Sequence, residues 1–306
     1  MNITRSDRSK LALWWWTVDR YLLSSFFVLM MFGIFLVMAS SQHLAENLNM
    51  PSHYFTVRHL MFGLLSIPII IFFSILNERQ TKIICIFGII IITSLLFLIL
   101  FEGEKIKGAQ RWFHVGSLSF QPSEIIKPLF VVFNAWLLSL WVEKTKFPGW
   151  MWSIASIILI STLLLLQPDL GMTIVMIFTW GFQLFITGIP LIIILCLILA
   201  FPIFMILSYH HFDHVKIRID GFIEGKTYQV SKSLQSFESG GFWGKGPGEG
   251  FYKKSLPDAH SDFVFAVAAE EYGALICSVI IIIYGLIILR SFYYTINNNN
   301  LFFILA

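Results

Sequence analysis

Eight apolar runs, each close to the length of a membrane-crossing helix, dominate this sequence. A bilayer core of about 30 Å needs about 20 apolar residues in a helix. Because lipid offers no partner to backbone N–H and C=O groups, each run must satisfy its own hydrogen bonds. We therefore predict an all-α fold, a polytopic transmembrane helix bundle, with spans at Tyr21–Ser40, Val57–Leu76, Ile83–Phe101, Ile125–Val142, Met151–Leu166, Leu170–Thr187, Pro190–Leu207 and Phe263–Leu289.

The composition excludes an ordinary soluble protein. The 306 residues are 57% hydrophobic and 13% charged, against about 45–50% apolar and about 25% charged in soluble domains. The net charge of +3 gives no reason to expect a nucleic-acid partner. A ninth run begins at Leu301 and is too short to span the membrane before the sequence stops at Ala306.

Basic residues favour the side of the N-terminus, which predicts a cytoplasmic N-terminus. On that side lie Arg5, Arg8, Lys10, Arg20, Arg79, Lys82, Lys144, Lys146 and Arg290, and on the other Arg58, Lys105, Lys107 and Arg111. We expect one membrane domain over 1–306, with about eight complete spans. Its longest stretch without a span, 208–262, is rich in glycine, charge and aromatic residues, which predicts a large, partly folded periplasmic loop.

Charged side chains at the predicted membrane boundary mark candidate sites, since they are costly there and usually pair or line a path. Glu124 and Lys127 are i,i+3 neighbours at the start of the fourth span, where Pro122 suits a first turn and Ser123 an N-cap. This pair either locks two helices together or places Lys127 near an anionic substrate group, with Glu124 positioning it.

Three further segments contain candidate site residues. Asp169 in Gln167–Gly171 is either a helix-capping residue or part of a site. The glycines around Lys245 allow tight turns and leave N–H groups free to meet an anion, although the pattern is unspecific. Four residues close together could bind a metal but are better read as a polar interfacial loop, namely His210, His211, Asp213 and His214.

Asp262 enters the membrane just before the eighth span, followed within that span by Glu270 and Glu271. At this position we expect a partly desolvated carboxylate, which is a better base than one in water. The alternative is a simple N-cap for the helix that begins at Phe263.

These motifs occur in one order along the predicted outer side: Gly108–Trp112, Gln121–Glu124 with Lys127, Gln167–Gly171, Gly240–Gly246 and His260–Phe263. The order resembles the SEDS family of shape, elongation, division and sporulation proteins, from about Trp14 to the end of the chain. Within the family, Trp14–Arg20 and Gly244–Gly250 look most like the division branch of alphaproteobacteria. Relatives continue through two further helices, so we expect the chain to be a C-terminally truncated member.

The resemblance implies a peptidoglycan glycosyltransferase that polymerises lipid II, with Asp262 as the catalytic general base. Substrate contacts are expected from the other motif residues: Lys127, Glu124, Arg111, Trp112, Gln121, Ser123, Asp169, Lys245 and His260. No covalently bound cofactor is expected, while a divalent cation, Mg or Mn, is a candidate at the pyrophosphate. The implied partners are a class B penicillin-binding transpeptidase and other division proteins, at the septum of the bacterial inner membrane.

Two other functions fit the same residues. Intramembrane charges suit a flippase that carries lipid II across the membrane equally well. A non-catalytic scaffold for the division machinery would follow if chemistry had been lost with the missing helices.

Overall fold

A computed structural model of the chain describes residues 10–106, 109–115, 118–143, 147–223 and 228–306. Six residues used in the predictions lie outside these ranges, namely Arg5, Arg8, Lys107, Gly108, Lys144 and Lys146. The same holds for the side chains of Lys10, Lys105 and His214.

The described residues are predominantly helical, as predicted. The helices are α1 (Lys10–Thr17), α2 (Arg20–Asn47), α3 (Tyr54–Ile75), α4 (Glu78–Glu102), α5 (Pro122–Val142), α6 (Gly149–Leu166), α7 (Leu170–Ile186), α8 (Leu191–His211), α9 (Asp213–Ile223), α10 (Tyr228–Gly240), α11 (Val264–Ile296) and α12 (Leu301–Leu305).

All eight predicted spans fall on helices. Among the described residues, seven helices are long and apolar enough to cross a membrane, and α7, at 17 residues, is an apolar helix slightly below that length. Large apolar side chains lie exposed along these helices, and α3 buries none of its residues within the protein. Outward-facing apolar surface of this extent is matched by lipid rather than by water.

A small antiparallel sheet departs from the all-α expectation. Its strands are β1 (Glu104–Ile106), β2 (Ala109–Val115) and β3 (Leu118–Phe120), in the order β1-β2-β3. The segment lies between two span helices, where it is too short and too polar to cross the membrane. Pairing between strands is therefore how its backbone groups are satisfied.

The chain divides into two compact units. Unit 1 comprises Met1–Leu76 and Gly221–Tyr294, and unit 2 comprises Asn77–Asp220 and Thr295–Ala306.

Unit 2 is built around α5. Its core includes the fully buried Phe130 and Leu138, packed among side chains of α4, α6, α7 and α12. A buried amide network lies within this core: Asn134 Nδ2 donates to Gln183 Oε1 at 2.7 Å, and Gln183 Nε2 donates to the carbonyl of Leu305 at 2.8 Å. Hydrogen bonds of this kind hold the short α12 against α5 and α7.

Unit 1 contains α2, α3 and the long α11. Asp19 caps α2 by accepting from the amides of Tyr21 and Leu22, and its other oxygen accepts from Arg290 Nε of α11 at 2.7 Å. Burial alone would raise the pKa of Asp19. The hydrogen bonds from Arg290 and from the capping amides nevertheless hold this pKa below its ordinary value. This cap therefore also joins the first span to α11.

Helix α11 is broken at Gly273, where φ is +74° and ψ is −177°. The stretch 208–262, which was predicted to be a large, partly folded loop, contains more helix than that prediction suggested. That stretch contains the end of α8, all of α9 and α10, and a 3-10 turn at Tyr252–Lys254.

Candidate active site

Asp262 lies in the turn that leads into α11, in unit 1. Its side chain is exposed at the protein surface, so packing within the protein does not supply the partial desolvation that was expected there. Among the described residues the carboxylate has no hydrogen-bond partner. The amide of Val264 donates to the carbonyl of Ser261 at 3.5 Å, so backbone groups rather than the Asp262 side chain close this turn. The capping reading is therefore not supported, and the carboxylate is available to a ligand.

Apolar contacts with α11 hold the segment that precedes Asp262. Leu256 and Ala259 are buried against Ala266 and Val267 of α11. His260 is half-buried with its ring 4.8 Å from that of Phe55. The exposed carboxylate thus projects from a turn whose neighbouring side chains are packed.

The glycine-rich segment lies in the break of α11. The amides of Lys245 and Gly246 donate to the carbonyls of Glu270 and Glu271 at 3.0 and 2.9 Å. On the other side of the break, the amide of Ala274 donates to a carbonyl of the same segment, that of Gly241. The segment thereby satisfies the backbone groups that a helix break frees.

This arrangement corrects the prediction that the N–H groups of the glycine-rich segment are free for an anion. The amides of Lys245 and Gly246 are used within the protein, whereas the side chain of Lys245 is exposed. Gly273 is required where the segment crosses, since a Cβ there would lie 2.3 Å from the carbonyl oxygen of Phe242.

Sequence reasoning missed a buried charge cluster that consists of Lys253, Glu270 and Glu271. Lys253 Nζ lies 2.5 Å from Glu271 Oε1, and Glu270 accepts hydrogen bonds from three consecutive backbone amides. The Glu-Glu pair inside an apolar run was a usable signal, because unpaired carboxylates are not tolerated there. Nothing in the sequence distinguishes the buried Lys253 from the exposed Lys254.

In unit 2, Glu124 and Lys127 form the predicted i,i+3 ion pair on the first turns of α5. Lys127 Nζ lies 2.6 Å from Glu124 Oε2, with Glu124 exposed and Lys127 partly so. The pair joins two positions of one helix, so it does not lock two helices together. A partly exposed ammonium beside a carboxylate remains able to meet an anionic ligand.

Ser123 is not the N-cap of α5, because the helix begins one residue earlier, at Pro122, with Gln121 in the capping position. Ser123 is instead buried, and its hydroxyl accepts a hydrogen bond from Gln121 Nε2 at 2.8 Å. Proline has no N–H to satisfy, which suits it to the first helical position.

Arg111 of β2 joins the sheet to the start of α7. Its Nε donates to the carbonyl of Gln167 at 3.1 Å, its Nη2 donates to that of Pro168, and its Nη1 lies 3.6 Å from Asp169 Oδ1. Asp169 caps α7 by accepting from the amide of Met172, which agrees with the capping reading of this residue, and its Oδ2 is buried without a described partner. Its neighbour in β2, Trp112, is half-buried and pairs in register with Glu104.

The described residues do not form a protein cage for a metal. No three His, Cys, Asp or Glu side chains among them come close enough to share an ion. His211 Nδ1 instead lies 3.0 Å from the carbonyl oxygen of Leu207 within α8. The described residues therefore contain no three-residue metal site, while a cation carried on a pyrophosphate would need only one or two protein carboxylates.

The fold and the site define a multi-pass helical membrane protein that presents an exposed carboxylate at the head of a span. A family model described as "Cell cycle protein", which covers FtsW, RodA and SpoVE, matches residues 20–306. The chain therefore belongs to this family, the SEDS family that its motifs resemble.

Relatives and solved structures agree with that membership. The chain is 32% identical to a probable peptidoglycan glycosyltransferase FtsW of Caulobacter vibrioides, over 89% of this chain and 70% of the relative. It is also 32% identical to the protein of that description from Aliivibrio salmonicida, over 88% of this chain and 70% of the relative.

Two solved structures share the fold. One is a chain of a peptidoglycan synthase complex that coordinates polymerization and crosslinking, at TM-score 0.67 and 22% identity, covering 90% of this chain and 80% of that one. The other is the rod shape determining protein RodA of Thermus thermophilus, at TM-score 0.61 and 23% identity, covering 94% and 80%.

Proposed function

We propose that the chain is an inverting peptidoglycan glycosyltransferase that polymerises lipid II into β-1,4-linked glycan strands, with Asp262 as general base. Family membership and the names of the relatives support the activity. The observation that carries the assignment of the base is the exposed carboxylate of Asp262, which has no partner among the described residues and projects from a packed turn.

In this proposal Asp262 takes the proton of the 4-hydroxyl of the acceptor GlcNAc. The freed oxygen attacks the anomeric carbon of the donor MurNAc, and undecaprenyl pyrophosphate leaves from the opposite face. One C–O bond forms and one breaks, the configuration inverts, and the proton remains on the carboxylate until solvent removes it. Substrate that displaces water from Asp262 would strengthen it as a base, because desolvation disfavours the charged carboxylate.

The departing pyrophosphate gathers negative charge, which cations stabilise. Lys127 is our candidate for that role, since it is partly exposed and is held by Glu124 at 2.6 Å. Arg111 is a weaker candidate, because its guanidinium already contacts Gln167, Pro168 and Asp169. A divalent cation on the pyrophosphate could share this role, and no step of the proposal passes through it.

We further propose that the protein acts at the division septum of the bacterial inner membrane, with a cytoplasmic N-terminus. The division-type relatives support the septal placement, and the basic residues of the short inner loops support the orientation. The expected partner is a class B penicillin-binding transpeptidase that crosslinks the strands as they are made. The described complex of one structural neighbour, which couples polymerization to crosslinking, supports this choice.

The experiment uses purified protein and fluorescent lipid II in detergent, with no other polymerase present. Glycan ladders that disappear in Asp262→Asn are the expected result. Ladders of unchanged intensity in Asp262→Asn would remove Asp262 as the base.

The same protein in liposomes separates the alternatives. Translocation of lipid II without ladders would favour a flippase, and the absence of both activities would favour a scaffold of the division machinery. Ladders without translocation support the polymerase.

A further inference from the structure

The buried charge cluster of Lys253, Glu270 and Glu271 lies in unit 1 outside the proposed chemistry. The Lys253 side chain is 7% exposed and that of Glu271 is 0% exposed. Besides its 2.5 Å contact with Glu271, Lys253 Nζ donates to the carbonyls of Ala39 at 3.1 Å and Gly248 at 2.8 Å. All three ammonium protons thereby have acceptors, and one side chain joins α2, the outer loop and α11.

The side chain of Glu270 holds the backbone of the segment that contains Lys253. Its carboxylate accepts from the amides of Phe251, Tyr252 and Lys253 at 2.7, 2.9 and 3.2 Å. Gly250 lies close to this carboxylate, and a Cβ there would make a tight 3.0 Å contact with Glu270 Oε2. The carboxylate therefore holds the N-terminal end of the turn at Tyr252–Lys254, from which the chain runs on toward Asp262.

The segment from Lys253 to Asp262 is short and is anchored at more than one point. Lys253 lies at its start, and Leu256 and Ala259 pack on α11 along it. Glu270 lies on the second turn of α11, only eight positions after Asp262. The cluster thus ties both the approach to Asp262 and the helix that follows it to one buried set of contacts.

Stability alone does not explain a buried ion pair of this kind. Replacing such a pair by apolar side chains of similar volume is often neutral or stabilising, because the pair's attraction is offset by the cost of desolvating two charges. What hydrogen-bonded charges supply beyond apolar packing is direction. Catalysis depends on direction, since a displacement of about 1 Å at the reacting groups can cost about 100-fold in rate.

We infer that Lys253, Glu270 and Glu271 are positioning residues that hold the carboxylate of Asp262 in register with the acceptor sugar. The inference rests on the proposed role of Asp262 as base. The cluster does not touch substrate itself; it acts through the backbone that carries Asp262.

The test replaces the pair by apolar residues, Lys253→Met with Glu271→Leu, so that no buried charge is left unpaired. The matched control is Lys254→Met, the exposed neighbour of the same type. Thermal melting in detergent is expected to match for the two proteins. The kcat for lipid II polymerisation is expected to fall at least about tenfold in the pair variant, with KM within about twofold of the control.

A double-mutant cycle with Asp262→Glu separates positioning from a mere loss of folded protein. If the pair variant only reduces the amount of active protein, its effect and that of Asp262→Glu multiply. If the pair variant instead displaces the backbone at residue 262, the longer side chain of Asp262→Glu alters the loss of kcat that this displacement causes. The loss of kcat in the combined variant then differs from the product of the two separate losses by at least about threefold.

The outcomes are distinguishable. Loss of kcat in the pair variant, together with non-multiplicative coupling, supports the inference. A kcat within about twofold of the Lys254→Met control, or effects that simply multiply, overturns it alone. Parent-like turnover in Asp262→Asn overturns the proposed base and this inference with it.

Discussion

Gly273→Ala offers a severe test of the broken helix α11. The backbone at Gly273 has φ +74° and ψ −177°, a region that only glycine occupies readily and that costs other residues about 1–3 kcal/mol. An added Cβ would also lie 2.3 Å from the Phe242 oxygen and 2.4 Å from the Gly244 nitrogen, both backbone atoms of the segment in the break. The backbone term alone predicts a shift of the unfolding equilibrium by between about fivefold and about 150-fold.

Gly285→Ala, on the same helix, is the matched control. Its Cβ would meet nothing within 4 Å, and alanine in a helix interior gains about 0.5–1 kcal/mol over glycine. Thermal unfolding can be followed with a thiol-reactive dye at the buried Cys277, in a background carrying Cys85→Ala and Cys196→Ser. Gly273→Ala is expected to expose the thiol at clearly lower temperature than Gly285→Ala, and equal unfolding temperatures would refute the geometry of the break.

Three further predictions concern the anchors within each unit, all checked by thermal melting in detergent. Arg111→Ala removes the contacts that join β2 to the start of α7 and leaves Asp169 without this ion partner. We expect about 2 kcal/mol of destabilisation, and an unchanged melting temperature would contradict the described contacts. Gln183→Leu removes the amide that donates to the buried carbonyl of Leu305 and should cost about 1–3 kcal/mol, whereas an unchanged melting temperature would exclude a structural role for this amide. The stabilisation from Asp19, whose pKa is held down by Arg290, should be present above about pH 4 and vanish as the pH falls further, so wild type and Asp19→Asn should converge there; a constant difference would argue against this linkage.

The helical part of the fold follows from the sequence because lipid leaves an apolar run almost no alternative to a helix. For example, α5 begins at Pro122, where proline was expected to open the helix, and Asp169 caps α7, in agreement with one of its two readings. The sheet at Glu104–Phe120 was not predictable in this way, because it lies outside the spans, where strand, turn and coil are all available to a short polar segment.

Some contacts around the candidate site were predictable from the sequence, and others were not. Spacing along one helix was enough to pair Glu124 with Lys127. The burial of Lys253 was not predictable, since it depends on contacts with Ala39 and Glu271, which lie far away in the sequence.

Asp262 illustrates the same limit. Its position at the membrane boundary suggested a dry carboxylate, yet its exposure is decided by how the preceding turn packs on α11. A turn that buries Leu256 and Ala259 directs the Asp262 side chain away from that core.

The most direct measurement compares initial rates of lipid II polymerisation by Asp262→Asn and Asp258→Asn, with lipid II binding measured for both. Asp258 lies in the same turn with φ +55°, a conformation that asparagine tolerates well, so its variant controls for the loss of one carboxylate. We predict that Asp262→Asn binds lipid II normally but polymerises it about 10²–10⁴-fold more slowly, the usual contribution of a general base. Turnover by Asp262→Asn equal to that of Asp258→Asn would contradict the account.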